Sequence, residues 1–439
     1  MANKLPLNWC ECKFGDICYL QNGYAFNSKE YSDSGINLIR ISDIKDDKVI
    51  TDNCVKVCDN VDISFRVNKG DFLLAMSGAT TGKTGVYLYD NYALLNQRVG
   101  NLKIYSEDVL HPMYRNYFIM NKRREIEKKA YGGAQPNISK QLIEDLDLLL
   151  PPIAEQKRIV DKIEEIFAKI DAGVEKLKSA QEKIKQYKQS VLHSAFTGKL
   201  EKVSNWKHAF LKEICNKITD GSHFSPESDN SYDYPYITVK DIFNDNIMFS
   251  SAKKIKKIDY EKLVYNGCKP NIGDVLFSKD GTVGKVSLIQ SNINFVVLSS
   301  LAILTPNYDK ITSKFLFYML KSPEFLSEAL KNKTGVAIRR IILATLKNIK
   351  VFYPSDISEQ ERIVEEIEKR FAKADKMLEV VEKSLKSTEQ LKQSVLKKAF
   401  EGKLVPQDLN DEPASVLLAR IKSEKQQNEK AKGKRNDRK

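Results

Sequence analysis

The sequence predicts an α+β protein: two mixed α/β globular domains separated by two long antiparallel coiled-coil helices, arranged as a pseudo-two-fold internal repeat. Three observations predict this. Residues 153–200 return at 357–404 without a gap, each copy carries heptad spacing, and the segments before the copies hold short β-type runs.

The repeat comes first because missing one misreads the whole fold. Glu155-Gln156 matches Glu359-Gln360, Phe167-Ala168-Lys169 matches Phe371-Ala372-Lys373, and Gly198-Lys199-Leu200 matches Gly402-Lys403-Leu404, all at an offset of 204. Half of the positions are identical. The preceding segments correspond only in outline. Trp9 aligns with Trp206, Gly70-Asp71 lies 203 residues before Gly273-Asp274, and Gly82-Lys83 lies 202 before Gly284-Lys285. This gives residues 1–152 and 201–354 as globular domains, 153–200 and 355–406 as helical spacers, and 407–439 as a partly disordered C-terminal segment.

In the first spacer Ile159, Ile163, Ile166, Ile170, Gly173, Leu177, Ala180, Ile184, Tyr187 and Val191 alternate spacings of four and three, a coiled-coil seam. Ile363, Ile367, Ala374, Met377, Val381, Leu391 and Val395 keep the register in the second, interrupted by Arg370, Ser384 and Thr388. Pro151-Pro152 and Pro354 precede the helices, and Gly198 and Gly402 stand where they stop. An amphipathic helix of this length needs a partner. The other copy supplies one within the chain, and pairing between chains is the competing arrangement.

The globular segments read as curled sheets with a few helices. Runs at 36–44, 234–242, 273–278 and 294–304 are β-type and are punctuated by Gly, Asn, Asp and Ser. Helical patterns at 109–130 and 312–331 precede the spacers.

The chain has 439 residues, 42% of them hydrophobic, and a formal net charge of +13. That balance favours a polyanionic partner. Residues 421–439 carry eight Lys/Arg against three Asp/Glu, so most of the surplus lies in the body. The seven cysteines include no CxxC pair, which argues against zinc and for free thiols in a reducing cytoplasm. The N-terminus lacks an apolar signal core, and no apolar run approaches the ~20 residues of a membrane span.

Gly78-Ala79-Thr80-Thr81-Gly82-Lys83-Thr84 resembles a phosphate-binding loop but is one residue short of the required spacing. Its counterpart, Gly281-Thr282-Val283-Gly284-Lys285-Val286, lacks the final hydroxyl that would hold magnesium. A nucleotide-hydrolysing site is therefore not expected. The loops read as DNA-facing, with plain glycine hairpins as the other reading. Small residues let backbone approach a phosphate and lysine adds charge. Ser77, Thr80, Thr81 and Lys83 are the candidate contacts in the first copy, and Ser278, Lys279, Thr282 and Lys285 in the second. The four histidines are scattered, without metal spacing, and no catalytic constellation or cofactor fingerprint occurs.

Polar segments add donors of the kind that read base edges. They are Asn96, Gln97 and Arg98; then Gln135, Asn137 and Lys140; and in the second copy Arg339 and Arg340. Arg40 and Lys240 end matching strands. For any one of these an ordinary surface role competes evenly.

A variable domain followed by proline, "EQ-x-RIV" and a helix ending "SVL-x-x-AF-x-GKL", all repeated twice, resembles the specificity subunit of type I restriction–modification systems. The trailing Leu404–Asp408 and Asn410–Ala414 stretches fit the same family. The resemblance implies two target-recognition domains that each read half of a bipartite double-stranded DNA site, with the helices as a ruler. It implies docking of two methyltransferase subunits that bring S-adenosylmethionine. It also allows two restriction–motor subunits that bring ATP and Mg2+. This chain would supply recognition without catalysis or cofactors of its own, in the cytoplasm. A coiled-coil scaffold that does not read DNA and a nuclease with an unrecognised site are the rival classes. Neither explains why the helices repeat faithfully while the domains diverge.

Overall fold

A computed structural model describes residues 5–45, 47–130, 136–203, 205–331 and 340–423. The chain divides into two compact units, Met1–Glu175 with Leu385–Lys439, and Lys176–Ser384. The long helices are thus shared between the units instead of standing as bodies of their own.

In the first unit Cys10–Lys13 pairs antiparallel with Asp147–Leu150, directly before the first long helix, Ile153–Phe196. A six-stranded sheet runs in the order Cys18–Asn22, Val99–Ile104, Phe72–Ala75, Thr84–Val86, Asp47–Val49 and Ile44–Lys45. A smaller sheet holds Ile36–Ile39 parallel to Ala93–Leu95. The second unit repeats the plan. Trp206–Phe210 pairs with Lys350–Pro354 before the second long helix, Ile357–Phe400. Cys215–Asp220, Leu301–Pro306, Val275–Ser278 and Val286–Leu288 form a sheet, and Tyr234–Ile237 runs parallel to Val296–Val297.

Several β-type runs are interrupted for local reasons. Residues 36–44 and 234–242 each form a strand and then a 3-10 turn, Ile41–Asp43 and Val239–Asp241. In both, a buried aspartate three residues on takes a backbone N–H: Arg40 N donates to Asp43 and Thr238 N to Asp241, each at 2.8 Å. Arg40 therefore corresponds to Thr238; Lys240 lies inside the turn and is not its counterpart. The helix expected over 312–331 is two helices, Ser313–Lys321 and Pro323–Lys331. Pro323 cannot continue a helix but suits a first turn, and Ser322 Oγ accepts the Phe325 N–H at 3.2 Å to start the new one. The first copy has proline only at the start of its single helix, Pro112–Ala130.

The long helices pair antiparallel within the chain. In the first unit Lys392 donates to Asp171 at 2.6 Å and its ammonium lies 5.1 Å from the Phe167 ring centre. In the second unit Lys188 pairs with Asp375 and lies 4.8 Å from the Phe371 ring centre. The second set is the first moved by the repeat offset, and in each ion pair the two residue numbers add to the same value, as antiparallel pairing requires. Tyr117 packs edge-on against Phe167, and Tyr318 against Phe371. The seam differs from the expected heptads at three positions. Met377 and Leu391 are exposed at 59% and 51% and Tyr187 at 46%, whereas Leu378, Lys392 and Lys188 turn inward. A lysine can fill a seam position by burying its stem and pairing its head.

The helices stop at Gly198 and Gly402, with φ of +73° and +67°, a left-handed cap that glycine takes without strain. In the first unit Trp9 packs against Gly402, and its indole N–H donates to Glu155 Oε2 at 2.9 Å. Burial pushes the Glu155 carboxyl up, against the opposing pull of the Trp9 N–H and Arg158. A folded-state pKa above the unfolded one gives stability that is present at acid pH and lost as pH rises through the folded value. Glu155→Gln should therefore gain in melting temperature relative to the native chain between pH 4 and pH 8. A difference that does not change with pH in thermal melts would contradict this.

Residues 414–423 form a further helix whose Ala414, Leu417, Leu418 and Ile421 join the first unit's core. Arg158 holds Asp411 at 2.6 Å, and Leu7 N donates to Gln407 at 3.0 Å. The part of the C-terminal segment up to 423 is thus folded, and residues 424–439 lie outside the described residues. No helix among the described residues is long and apolar enough to cross a membrane.

Candidate nucleic-acid interface

Several of the candidate contacts lie where strands of each unit's main sheet end. In the first unit Gly23 follows the strand Cys18–Asn22, and Tyr24 bridges to Asn96. Ser77, just past Phe72–Ala75, bridges to Asn137. Met76 N donates to Arg98 O at 3.0 Å, and Ile138 N to Met76 O at 2.7 Å. The second unit reproduces every one of these links. Ser222 bridges to Leu298, Asp280 to Arg340, Lys279 N donates to Ser300 O at 2.9 Å, and Ile341 N to Lys279 O at 2.8 Å. Backbone equivalence therefore matches Asn22 with Asp220, Met76 with Lys279, Ser77 with Asp280, and Asn137 with Arg340.

The shared backbone depends on a glycine. A Cβ on Gly23 would stand 2.2 Å from Asn96 O, and one on Gly221 2.3 Å from Val297 O. Strand backbone cannot yield as a flexible side chain can. Gly23→Ala and Gly221→Ala should each cost about 2–4 kcal/mol, and urea midpoints within experimental error of the native chain would refute that.

The side chains on this common backbone differ in kind. In the first unit Gln97, Arg98, Asn137 and Lys140 are exposed, Lys140 beside Glu144 at 3.6 Å. Asn96 is buried and accepts the Arg98 N–H at 3.3 Å, so it shapes the turn that presents its two neighbours. Arg40 is half-buried, 3.7 Å from Asp43 and 6.0 Å from the Tyr31 ring centre.

In the second unit Lys279 is wholly buried, its ammonium 3.4 Å from Asp220 and 3.3 Å from Asp280. The Arg340 Nε lies 3.2 Å from Asp280, and His223 Nε2 lies 3.3 Å from Asp220. Lys279 was expected at the DNA; its head group is enclosed and cannot present itself there. Asp220 and His223 escaped the sequence reading because neither sits in a motif. Their one signal was alignment of Asp220 with neutral Asn22.

The glycine loops are hairpins. Gly78–Lys83 joins antiparallel strands with Gly82 N donating to Ala75 O at 2.9 Å, and Gly284 N donates to Ser278 O at 3.0 Å. No helix follows them, as a phosphate-binding loop would need. Their side chains mostly serve the turn. Thr80 donates to Ile41 O, buried Thr81 to Gly78 O, and buried Ser278 to Thr282 O. Lys285 Nζ donates to Val239 O and Ile242 O, which ties the hairpin to the 3-10 turn and occupies the charge. Lys83 is half-buried, Thr282 and Lys240 are exposed, and Ser77 is half-buried. Gln135 and Arg339 lie outside the described residues. Among the described residues no group of three or more His, Cys, Asp or Glu is gathered as a metal site would require.

A family model described as "Type I restriction modification DNA specificity domain" matches the chain twice, over residues 6–182 and 203–383. The chain is 27% identical to the type I restriction enzyme EcoBI specificity subunit of Escherichia coli, over 95% of this chain and 92% of that protein. It is 24% identical to the StySPI specificity subunit of Salmonella potsdam, with 96% of each covered. A solved chain from work on complex assembly and conformational transition of the type I R-M system superposes with a TM-score of 0.65 at 19% identity. That likeness covers 91% of this chain and 99% of the solved one, and it shows the shared fold.

Proposed function

The chain belongs to the type I restriction modification DNA specificity domain family, and from that premise we propose that its two recognition domains each read one half of a bipartite double-stranded DNA site. It is the specificity subunit of a restriction–modification assembly and contributes recognition, not catalysis. One observation carries the bipartite reading. Both units keep the same strand-end backbone, yet one dresses it with Asn22, Met76, Ser77 and Asn137 and the other with Asp220, Lys279, Asp280 and Arg340. Two readers of different half-sites need a common frame and different side-chain chemistry on it.

Exposed Lys and Arg supply salt-dependent, sequence-independent attraction to phosphates. Donors and acceptors at the strand ends discriminate base edges, each good bidentate pair contributing about 1–3 kcal/mol. The repeated helix faces offer equivalent surfaces, which suits two copies of one methyltransferase subunit carrying S-adenosylmethionine. Restriction–motor subunits carrying ATP and Mg2+ complete a cytoplasmic assembly. Mapping methylated adenines genome-wide in a host that carries this chain with its methyltransferase tests the reading. The expected result is one two-part motif with an unspecified gap, lost when the chain is deleted; a single contiguous motif, or none, would contradict it.

A further inference from the structure

We propose that Lys279 is a positioning residue of the second recognition domain, and that the network it anchors presents the Arg340 guanidinium to a guanine edge in the major groove. The proposal rests on the DNA-reading function above and adds the base class and the residues responsible.

An ammonium sealed from water is tolerated only where opposite charge surrounds it. Lys279 has that in Asp220 and Asp280, so its position fixes both carboxylates. Asp280 in turn forms an ion pair with Arg340, its Oδ1 3.2 Å from the Arg340 Nε, with the Arg340 side chain 49% exposed. A guanidinium paired on its Nε side can still offer its terminal nitrogens as a planar fork, and that fork matches the paired acceptors O6 and N7 of guanine. Holding the fork in place beforehand removes the entropy loss of ordering a long side chain on binding. The flanking backbone links are those of the first unit, where Met76 stands in place of Lys279 and Ser77 in place of Asp280. Arginine there comes from a different segment, as exposed Arg98 of the 96–98 turn. The buried lysine is thus not required by the fold, because the same backbone closes around a methionine.

The test uses the chain assembled with its methyltransferase and duplexes built on the mapped motif, with every base pair varied in turn. Arg340→Gln should lose discrimination at one guanine of one half-site by about 5- to 150-fold, with the other half-site unchanged. The triple variant Asp220→Asn, Lys279→Met, Asp280→Ser copies the first unit's residues, so it should fold, and it should relax the same guanine. Arg340→Lys, which keeps charge but not the fork, should fail to restore it. Uniform weakening over all sequences with a salt slope reduced by about one would identify a phosphate contact and overturn the proposal. Unaltered discrimination in either variant would do so too. A native complex that prefers no sequence would instead overturn the DNA-reading function itself.

Discussion

Gln156→Leu should lower the stability of the first unit by about 3–5 kcal/mol, and Gln360→Leu should do the same to the second. Each glutamine is completely buried at the start of a long helix. The Gln156 Oε1 accepts the His111 N–H at 2.8 Å, while its Nε2 donates to Val109 O at 2.8 Å and Pro151 O at 3.0 Å. Gln360 repeats this with Thr312 N at 3.0 Å, Lys310 O at 2.7 Å and Pro354 O at 2.9 Å. One amide therefore fastens the start of the preceding domain helix and the proline entry to the long helix. Leucine fills the volume but strands three backbone groups without water, each worth about 1–3 kcal/mol unsatisfied. Glutamate is the sharper test. Ionised, it would turn oxygen lone pairs toward two carbonyls, so Gln156→Glu should destabilise more at pH 8 than at pH 4. Because the two sites lie in different units, the losses in the double variant should add. Urea midpoints check all of these, and a midpoint shift equivalent to less than about 1 kcal/mol would show that the amide bonds are replaceable.

The repeat of Glu155-Gln156 at Glu359-Gln360 was plain in the sequence, but its meaning was not. A polar pair among apolar spacings reads as a solvated start of a helix until the backbone groups it satisfies are in place. The long helices, their glycine stops and their antiparallel pairing were legible because periodicity and repetition are local signals. The finer register was not. Apolar spacing points to Met377 and Leu391, whereas the seam uses Leu378 and Lys392. An inward lysine is recognisable only from what it meets, and Asp171 and Phe167 lie far away along the chain. The placement of the candidate contacts has the same limit. Gln97, Arg98 and Asn137 are exposed where the sequence placed them among donors. Lys279 and Lys285 were chosen for their charge, but distant Asp220 and the carbonyls of Val239 and Ile242 consume it.

Deleting residues 178–184 together with 379–385 should leave both half-sites of the target unchanged and shorten the unspecified gap between them. The two segments face each other in the antiparallel register defined by Asp171 with Lys392 and Lys188 with Asp375. Both ion pairs lie outside the deletions, so each unit keeps its own clamp. Seven residues take about 10 Å from each helix at ~1.5 Å per residue. They rotate its face by only about 20°, so the seam keeps its phase, with Leu177 and Leu378 at the joins. About 10 Å corresponds to roughly three base pairs at ~3.4 Å each. Deleting one segment alone should instead misalign the clamps and lower the melting temperature, because the helices would then differ in length between the same two anchors. Methylated-adenine mapping reads the spacing directly. Intact half-sites at the original spacing would show that something other than helix length sets the gap.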